Sequence, residues 1–257
     1  MSRLTKAQAK AHAQAEELLQ QEVLSLDDRE FVINNWMESA RHINSAAAAF
    51  FTPLGLAYDL AIETDGCKTL IDLCAGIGAL SYAAMRHHTV EPFDRVVCVE
   101  INPDYAAVGR KIVPEAEWIV ASADALPDLG RFDIAIGNPP FGTVCKIAGP
   151  RYRGEADLAV IDIASDLADF GAFIIPQMSC PFEYSGRPSY VRRQSDKFER
   201  FHKATGIELT TGCGIDCDFY RKEWRGASPS VEIACADFTE LRALRLPAQQ
   251  DLFGEAA

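Results

Sequence analysis

The 257-residue chain has no apolar run approaching the roughly 20 residues that cross a bilayer. Its first residues, MSRLTKAQAKAHAQAEELLQQ, lack the apolar stretch of a secretory signal, so no membrane and a cytoplasmic setting are expected. Zinc-type spacing is also missing. Cys213 and Cys217, in GCGIDC, are the nearest pair among eight cysteines, and no second Cys or His pair with matching spacing follows. Most other cysteines sit in apolar runs such as LIDLCAG and VVCVE, where a thiol serves as a small hydrophobe in a reducing compartment. No metal is expected. Positive charge is in deficit, with 25 Lys and Arg against 37 Asp and Glu, a net charge of −12. That argues against a protein that coats nucleic acid nonspecifically, yet a local basic cleft remains compatible with it. Repeats and low-complexity blocks are absent beyond Ala-rich segments, which points to one main domain with a small appendage.

What is present is an alternating pattern. Residues 1–50 read as a helical extension, with helix formers over 4–24 and a capping signal opening SLDDREFVINNW. Pro53 precedes a further helical stretch, where a first turn tolerates it. After Gly66 come seven strand candidates, TLIDLCA, RVVCVEI, EWIVASA, FDIAIGN, AFIIPQ, GIELTTG and SVEIACADF. Helices are predicted at 79–88, 103–112, 155–169 and 193–204. Such alternation predicts an α/β fold with a doubly wound, mostly parallel, seven-stranded sheet. The last two strands have no helix between them and predict an antiparallel terminal hairpin. Residues 51–240 would form the main domain, with an insert at about 180–226, and 241–257 a tail.

LIDLCAGIGALS places a strand before Gly76-Ile-Gly78 and a helix, so the backbone there can approach a ligand closely. VVCVEIN ends the next strand with Glu100, an acid suited to accept two ribose hydroxyls, and ASADAL brings Asp124 towards an adenine amine. The third glycine of a dinucleotide fingerprint is missing, because Ser81 stands there. That argues against a pyrophosphate on the helix and against a nicotinamide dehydrogenase. Asp72 would repel phosphates but not a sulfonium or an ammonium. S-adenosylmethionine fits these demands.

In this ordered set the chain resembles the class I S-adenosylmethionine-dependent methyltransferases, whose Rossmann-like fold matches the predicted sheet. FDIAIGNPPFG carries Asn138, Pro139, Pro140 and Phe141, and so resembles the amino-methylating branch with Asn-Pro-Pro-Phe or Asn-Pro-Pro-Tyr, as in adenine-N6 DNA methyltransferases. The resemblance covers about residues 50–240. It implies cofactor contacts by Asp72, Cys74, Ala75, Gly76, Gly78, Glu100, Ile101, Asp124, Ala125 and Asn138. FFTPLGLA is similar to a cofactor-capping motif, which would set Phe51, Thr52 and Pro53 at the methionine end. Cys74 departs from the small residue often found there.

An adenine amine is a poor nucleophile, its lone pair being drawn into the ring. The Asn138 oxygen and the Pro139 carbonyl can hold its hydrogens, the prolines stiffen the turn, and Phe141 offers a face for the base. Transfer from a sulfonium needs no covalent enzyme intermediate, in keeping with the lack of a Ser-His or Cys-His pairing. A cytosine-C5 route would need Pro-Cys, whereas Cys180-Pro181 has the reverse order. His87 and His88 fall at a predicted helix end, where they suit the helix dipole. A base in a duplex must be flipped out, and flanking contacts must offset that cost. Arg187, Arg192, Arg193 and Lys197, then Tyr220, Arg221, Lys222 and Trp224, combine cations with aromatic rings suited to that task. DNA is the leading partner, with RNA the close alternative. A protein glutamine methyltransferase is a further one, although Tyr is usual there in place of Phe141. A non-catalytic cofactor-binding or scaffolding module is the reading without chemistry. In the tail, Gln249, Asp251, Leu252 and Phe253 of QQDLFG resemble the peptide with which bacterial DNA-handling proteins dock on the replicative sliding clamp.

Overall fold

The computed structural model describes residues 5–37, 50–89, 91–143, 145–225 and 228–245. The chain enters through α1 (Lys6–Leu18) and α2 (Leu26–Asn35), and a capping box opens each. Thr5 with Gln8 and Ser25 with Asp28 satisfy the otherwise orphaned amides of the first turns. α3 (Leu54–Ala61) starts directly after Pro53, which occupies the N-cap position.

Short apolar runs then build the sheet. β1 (Thr69–Leu73), β2 (Arg95–Glu100), β3 (Glu117–Val120), β4 (Phe132–Gly137) and β5 (Ala168–Pro176) are parallel. α4 (Ala79–His87), α5 (Pro103–Ile112) and α6 (Ala156–Leu167) lie between them along the chain. Central strands covered on both faces read as continuous hydrophobic segments, as LIDL and VVCV do. Beyond β5 come a small antiparallel hairpin, β6 (Phe182–Glu183) with β7 (Val191–Arg192), and α7 (Asp196–Thr205). β8 (Val231–Asp237) and α8 (Thr239–Arg245) follow. β8 pairs antiparallel with β5, and the sheet order is β3-β2-β1-β4-β5-β8.

The sheet therefore has six strands, not seven. The segment 206–212 contributes only a bridge, in which Thr210 and Cys235 exchange two amide hydrogen bonds of 2.9 Å. Gly206 (φ 76°) and Gly212 (φ 55°) turn the chain at either end, leaving too short an extended piece to continue the ladder. Ile207 and Leu209 remain buried nonetheless. The expected terminal hairpin is reduced to that bridge, and the regular hairpin lies earlier, at β6–β7.

One sheet face packs on α6 and α7 through Leu158, Ile161, Phe173 and Phe201. The opposite face packs on α3 and α4 through Leu60, Leu80, Ile134 and Ile174. A third apolar cluster, centred on Trp36, joins α2 to α5. Among the described residues no helix is long and apolar enough to cross a membrane. After β1 the chain winds outward to β2 and β3, then returns to the other side of β1 as β4. The carboxyl ends of β1 and β4 thus flank a crevice, where open α/β sheets bind ligands.

Candidate active site

A cavity of about 380 Å³ lies in that crevice. One wall is the loop after β1. Cys74 has a positive φ of 66°, alone among the described non-glycine residues, and Gly76 (58°) and Gly78 (88°) continue the turn. A β-carbon on Gly78 would lie 3.1 Å from both Trp118 and Val113, so this glycine answers to packing as well as to its backbone angle. Glu100 clamps the loop. Its Oε2 accepts from Gly76 N–H (2.8 Å), its Oε1 accepts from Asn102 N–H (2.8 Å), and the side chain reaches the cavity wall.

Asp72 lies behind this loop rather than on the wall. It is fully buried, and its Oδ2 accepts from Ser81 Oγ at 2.7 Å. Ser81 in turn receives the Cys98 thiol at 3.2 Å. Asp72 Oδ1 has no partner among the described residues, and burial pushes the carboxyl up to about 7. Ser81, noted in the sequence for the glycine it replaces, has a structural task as the partner of a buried acid.

The opposite wall belongs to the end of β4. Gly137 is required there, because a β-carbon would stand 2.5 Å from the Leu73 carbonyl oxygen. Asn138 follows, and its Nδ2 donates to Phe50 O (2.8 Å) and to Thr52 Oγ1 (2.9 Å). With the amide hydrogens so occupied, Oδ1 is the free end, and no described group donates to it. Pro139 and Pro140 line the cavity. Phe141 stands off the wall and packs on Phe50, with ring centroids 5.6 Å apart. The loop is anchored from behind, where Gly142 N–H donates to Asp157 Oδ1 (3.0 Å) and Ala156 N–H to Gly142 O (2.7 Å). Asp157 is fully buried in the first turn of α6. Burial raises its carboxyl above the ordinary range. Sequence reasoning missed this residue, although an acid opening the helix after the loop was a usable signal.

Of the residues singled out in the sequence, the fold gathers Phe51, Thr52, Cys74, Ala75, Gly76, Glu100, Ile101, Asn138, Pro139 and Pro140 around one cavity. Pro53, Asp72, Gly78, Asp124, Ala125 and Phe141 are not on its wall. Asp124 is exposed, and its carboxylate accepts from Ser122 Oγ (2.5 Å) and Ala148 N–H (3.1 Å). The Ser122 bond is the main cause holding it below the usual range. Tyr105 was not foreseen. It lines the cavity and packs edge-on against Phe51 and Trp36, with centroids at 5.2 and 5.9 Å.

The basic stretch is largely neutralised locally. Glu183 holds both Arg187 and Arg193. Glu155 faces Lys197 (3.7 Å) and Arg200 (3.2 Å), and Arg221 pairs with Asp218. Arg192 and Lys222 are exposed, with no acidic partner among the described residues. The two aromatic residues expected to meet a base turn inward. Trp224 is buried, and Tyr220 donates its hydroxyl to Asp59 at 2.7 Å while its ring covers Gly55. Large rings lose more by exposure than they gain at a surface, so the local fold takes them.

His87 closes α4 and His88 caps it, as their position suggested. Both converge on Asp65 Oδ1, at 2.8 and 3.7 Å from their Nε2 atoms. With Asp65 they form a grouping compact enough for a metal ligand set among the described residues. The Nε2 atom of each ring already has a partner, Asp65 for His87 and the Thr64 hydroxyl (2.9 Å) for His88. Gln249, Asp251, Leu252 and Phe253 lie outside the described residues.

No protein-family model matches the chain. A release factor glutamine methyltransferase of Mycolicibacterium smegmatis is 38% identical over 79 residues, 28% of this chain. The match spans 27% of that relative's length. Among solved structures, one from Listeria monocytogenes, classed as a class I S-adenosylmethionine-dependent methyltransferase, aligns with a TM-score of 0.57. Identity is 12%, over 91% of this chain and 81% of that one. The methyltransferase subunit of a type I restriction-modification system from Streptococcus thermophilus gives 0.56 at 15% identity, over 82% and 48%. A structure classed as an RNA methyltransferase from Pyrococcus horikoshii gives 0.51 at 18%, over 87% and 96%. The chain shares the Rossmann-like fold of these methyltransferases.

Proposed function

We propose that the protein is an S-adenosylmethionine-dependent methyltransferase that methylates the exocyclic N6 amine of adenine in DNA. The observation carrying this reading is the orientation of Asn138 on the cavity wall, whose amide nitrogen is held by two acceptors while no described residue donates to its oxygen.

The cavity suits the cofactor. Its volume falls in the usual range for such sites, about 300–1,000 Å³. Glu100 brings an acceptor suited to ribose hydroxyls, and Phe51 and Tyr105 supply apolar and aromatic wall. Bound there, S-adenosylmethionine would supply an electrophilic methyl group on a sulfonium. The protein's own task is then positional. Asn138 Oδ1 and the Pro139 carbonyl accept the two amine hydrogens, hold the nitrogen in line, and favour its pyramidal form. Phe50 and Thr52 prevent the Asn138 amide from rotating to present hydrogens instead. Asp157 keeps the loop in place through Gly142.

The test is transfer of tritiated methyl groups to DNA, RNA and protein by wild type and Asn138→Ala. Wild type should label DNA adenine, and Asn138→Ala should lose at least about 100-fold while still binding S-adenosylhomocysteine. Labelling of RNA alone would move the substrate to RNA. The 79-residue likeness to a glutamine methyltransferase favours a second reading, a protein amide nitrogen held by the same two acceptors. Labelling confined to protein would select it. No transfer to any polymer would overturn the proposal and leave a cofactor-binding module.

A further inference from the structure

Arg225 lies near the end of the 180–226 region, where basic residues were expected to meet substrate, but its side chain runs inward. Nη1 donates to Trp36 O (2.8 Å) and Nη2 to Ile33 O (2.7 Å), carbonyls at the end of α2. The guanidinium carbon lies 5.7 Å over the centre of the Phe51 ring. Among the described residues no carboxylate pairs with it, and burial lowers it to about 10. Such a cation is held by the partial negative charge of a helix C-terminus and by the face of an aromatic ring. The ring belongs to the cavity wall. Five residues earlier, Tyr220 grips α3 through Asp59 and Gly55. Residues 220–225 therefore hold the elements on both sides of Phe51 and Thr52, the segment that also fixes Asn138.

We propose that Arg225 is a positioning residue that couples residues 217–225 to the cofactor cavity, so that a ligand filling the cavity also steadies this segment against local opening. The coupling rests on the reading of the cavity as the S-adenosylmethionine site. By reciprocity, whatever steadies that segment also tightens cofactor binding.

The experiment uses the full chain and S-adenosylhomocysteine, with affinity from calorimetry and amide hydrogen exchange at saturation. In wild type, ligand should slow exchange in peptides covering 50–55, 74–78 and also 217–225. Arg225→Gln should weaken affinity about tenfold, near 1.4 kcal/mol. At saturation it should keep protection at 74–78 and lose it at 217–225. Arg225→Lys, which retains the charge over the ring but not the forked donor, should fall between. Should Arg225→Gln fail to fold, Phe51→Leu removes the ring and leaves the carbonyl contacts, and it should likewise abolish protection at 217–225. Wild-type affinity with unchanged protection in Arg225→Gln would overturn the coupling alone, as would protection at 217–225 that survives Phe51→Leu. Failure of wild type to bind the ligand would overturn the cavity reading and the coupling with it.

Discussion

A carboxyl sealed behind the glycine loop makes stability depend on pH. Asp72 titrates near 3.8 when unfolded and near 7 in the folded chain, because burial disfavours its charge. Between those values the folded state binds more protons than the unfolded one, so this group's effect on stability worsens as pH rises. Its penalty is absent below about pH 4 and complete above about pH 7. A pKa difference of about 3, at about 1.4 kcal/mol each, bounds it near 4 kcal/mol. Asp72→Asn keeps an oxygen for Ser81 but cannot ionise. It should be more stable than wild type at pH 8 in urea melts, with the gap closing towards pH 4. A gap independent of pH would refute the assignment. At this scale the sequence was informative where a residue type had few alternative uses. A carboxamide before two prolines and glycines at a strand-to-helix turn were legible. The burial of Asp72 was not, because an acid at a strand end faces solvent or core according to what covers it.

Among the elements, α1 and α2 show how an appendage becomes part of a site. Trp36, fully buried, touches Phe51 and Tyr105 through its ring and Glu16 of α1 through its indole N–H (2.6 Å). Trp36→Ala should cost about 3–5 kcal/mol in urea unfolding. A cost below 1 kcal/mol would mean that these helices are only loosely attached. The helices themselves were legible through composition and one capping signal, and most strands through apolar runs. The strand expected at 206–212 failed because its flanking glycines adopt positive φ, a choice made by the surrounding chain and not by those residues' side chains. Likewise YRKEWRG reads as a basic, aromatic surface patch, and only packing against α2 and α3 turns three of its side chains inward.

For the whole molecule, a net charge of −12 means that any polyanion must be met locally. In the 180–226 region Arg192 and Lys222 have no acidic partner among the described residues, whereas Glu183 holds Arg187 and Arg193. If each free cation meets a phosphate, Arg192→Ala and Lys222→Ala should each lower the slope of log affinity against log salt by about 1. Arg187→Ala and Arg193→Ala should change it far less. Anisotropy titrations with DNA and RNA oligonucleotides over a salt series measure this, and equal slopes in all four variants would refute it.

By itself the sequence determined the alternation of strands and helices and the order of the glycine turn, the second acid and the Asn-Pro-Pro-Phe loop. Those features depend on local periodicity and on residues with narrow conformational uses. Tertiary structure alone decided which end of Asn138 is tied to the chain, which charges are paired, and which rings form the wall. Each of these depends on partners distant in the chain, Phe50 and Thr52 for Asn138 and Glu183 for the arginines, and no local pattern encodes such a meeting.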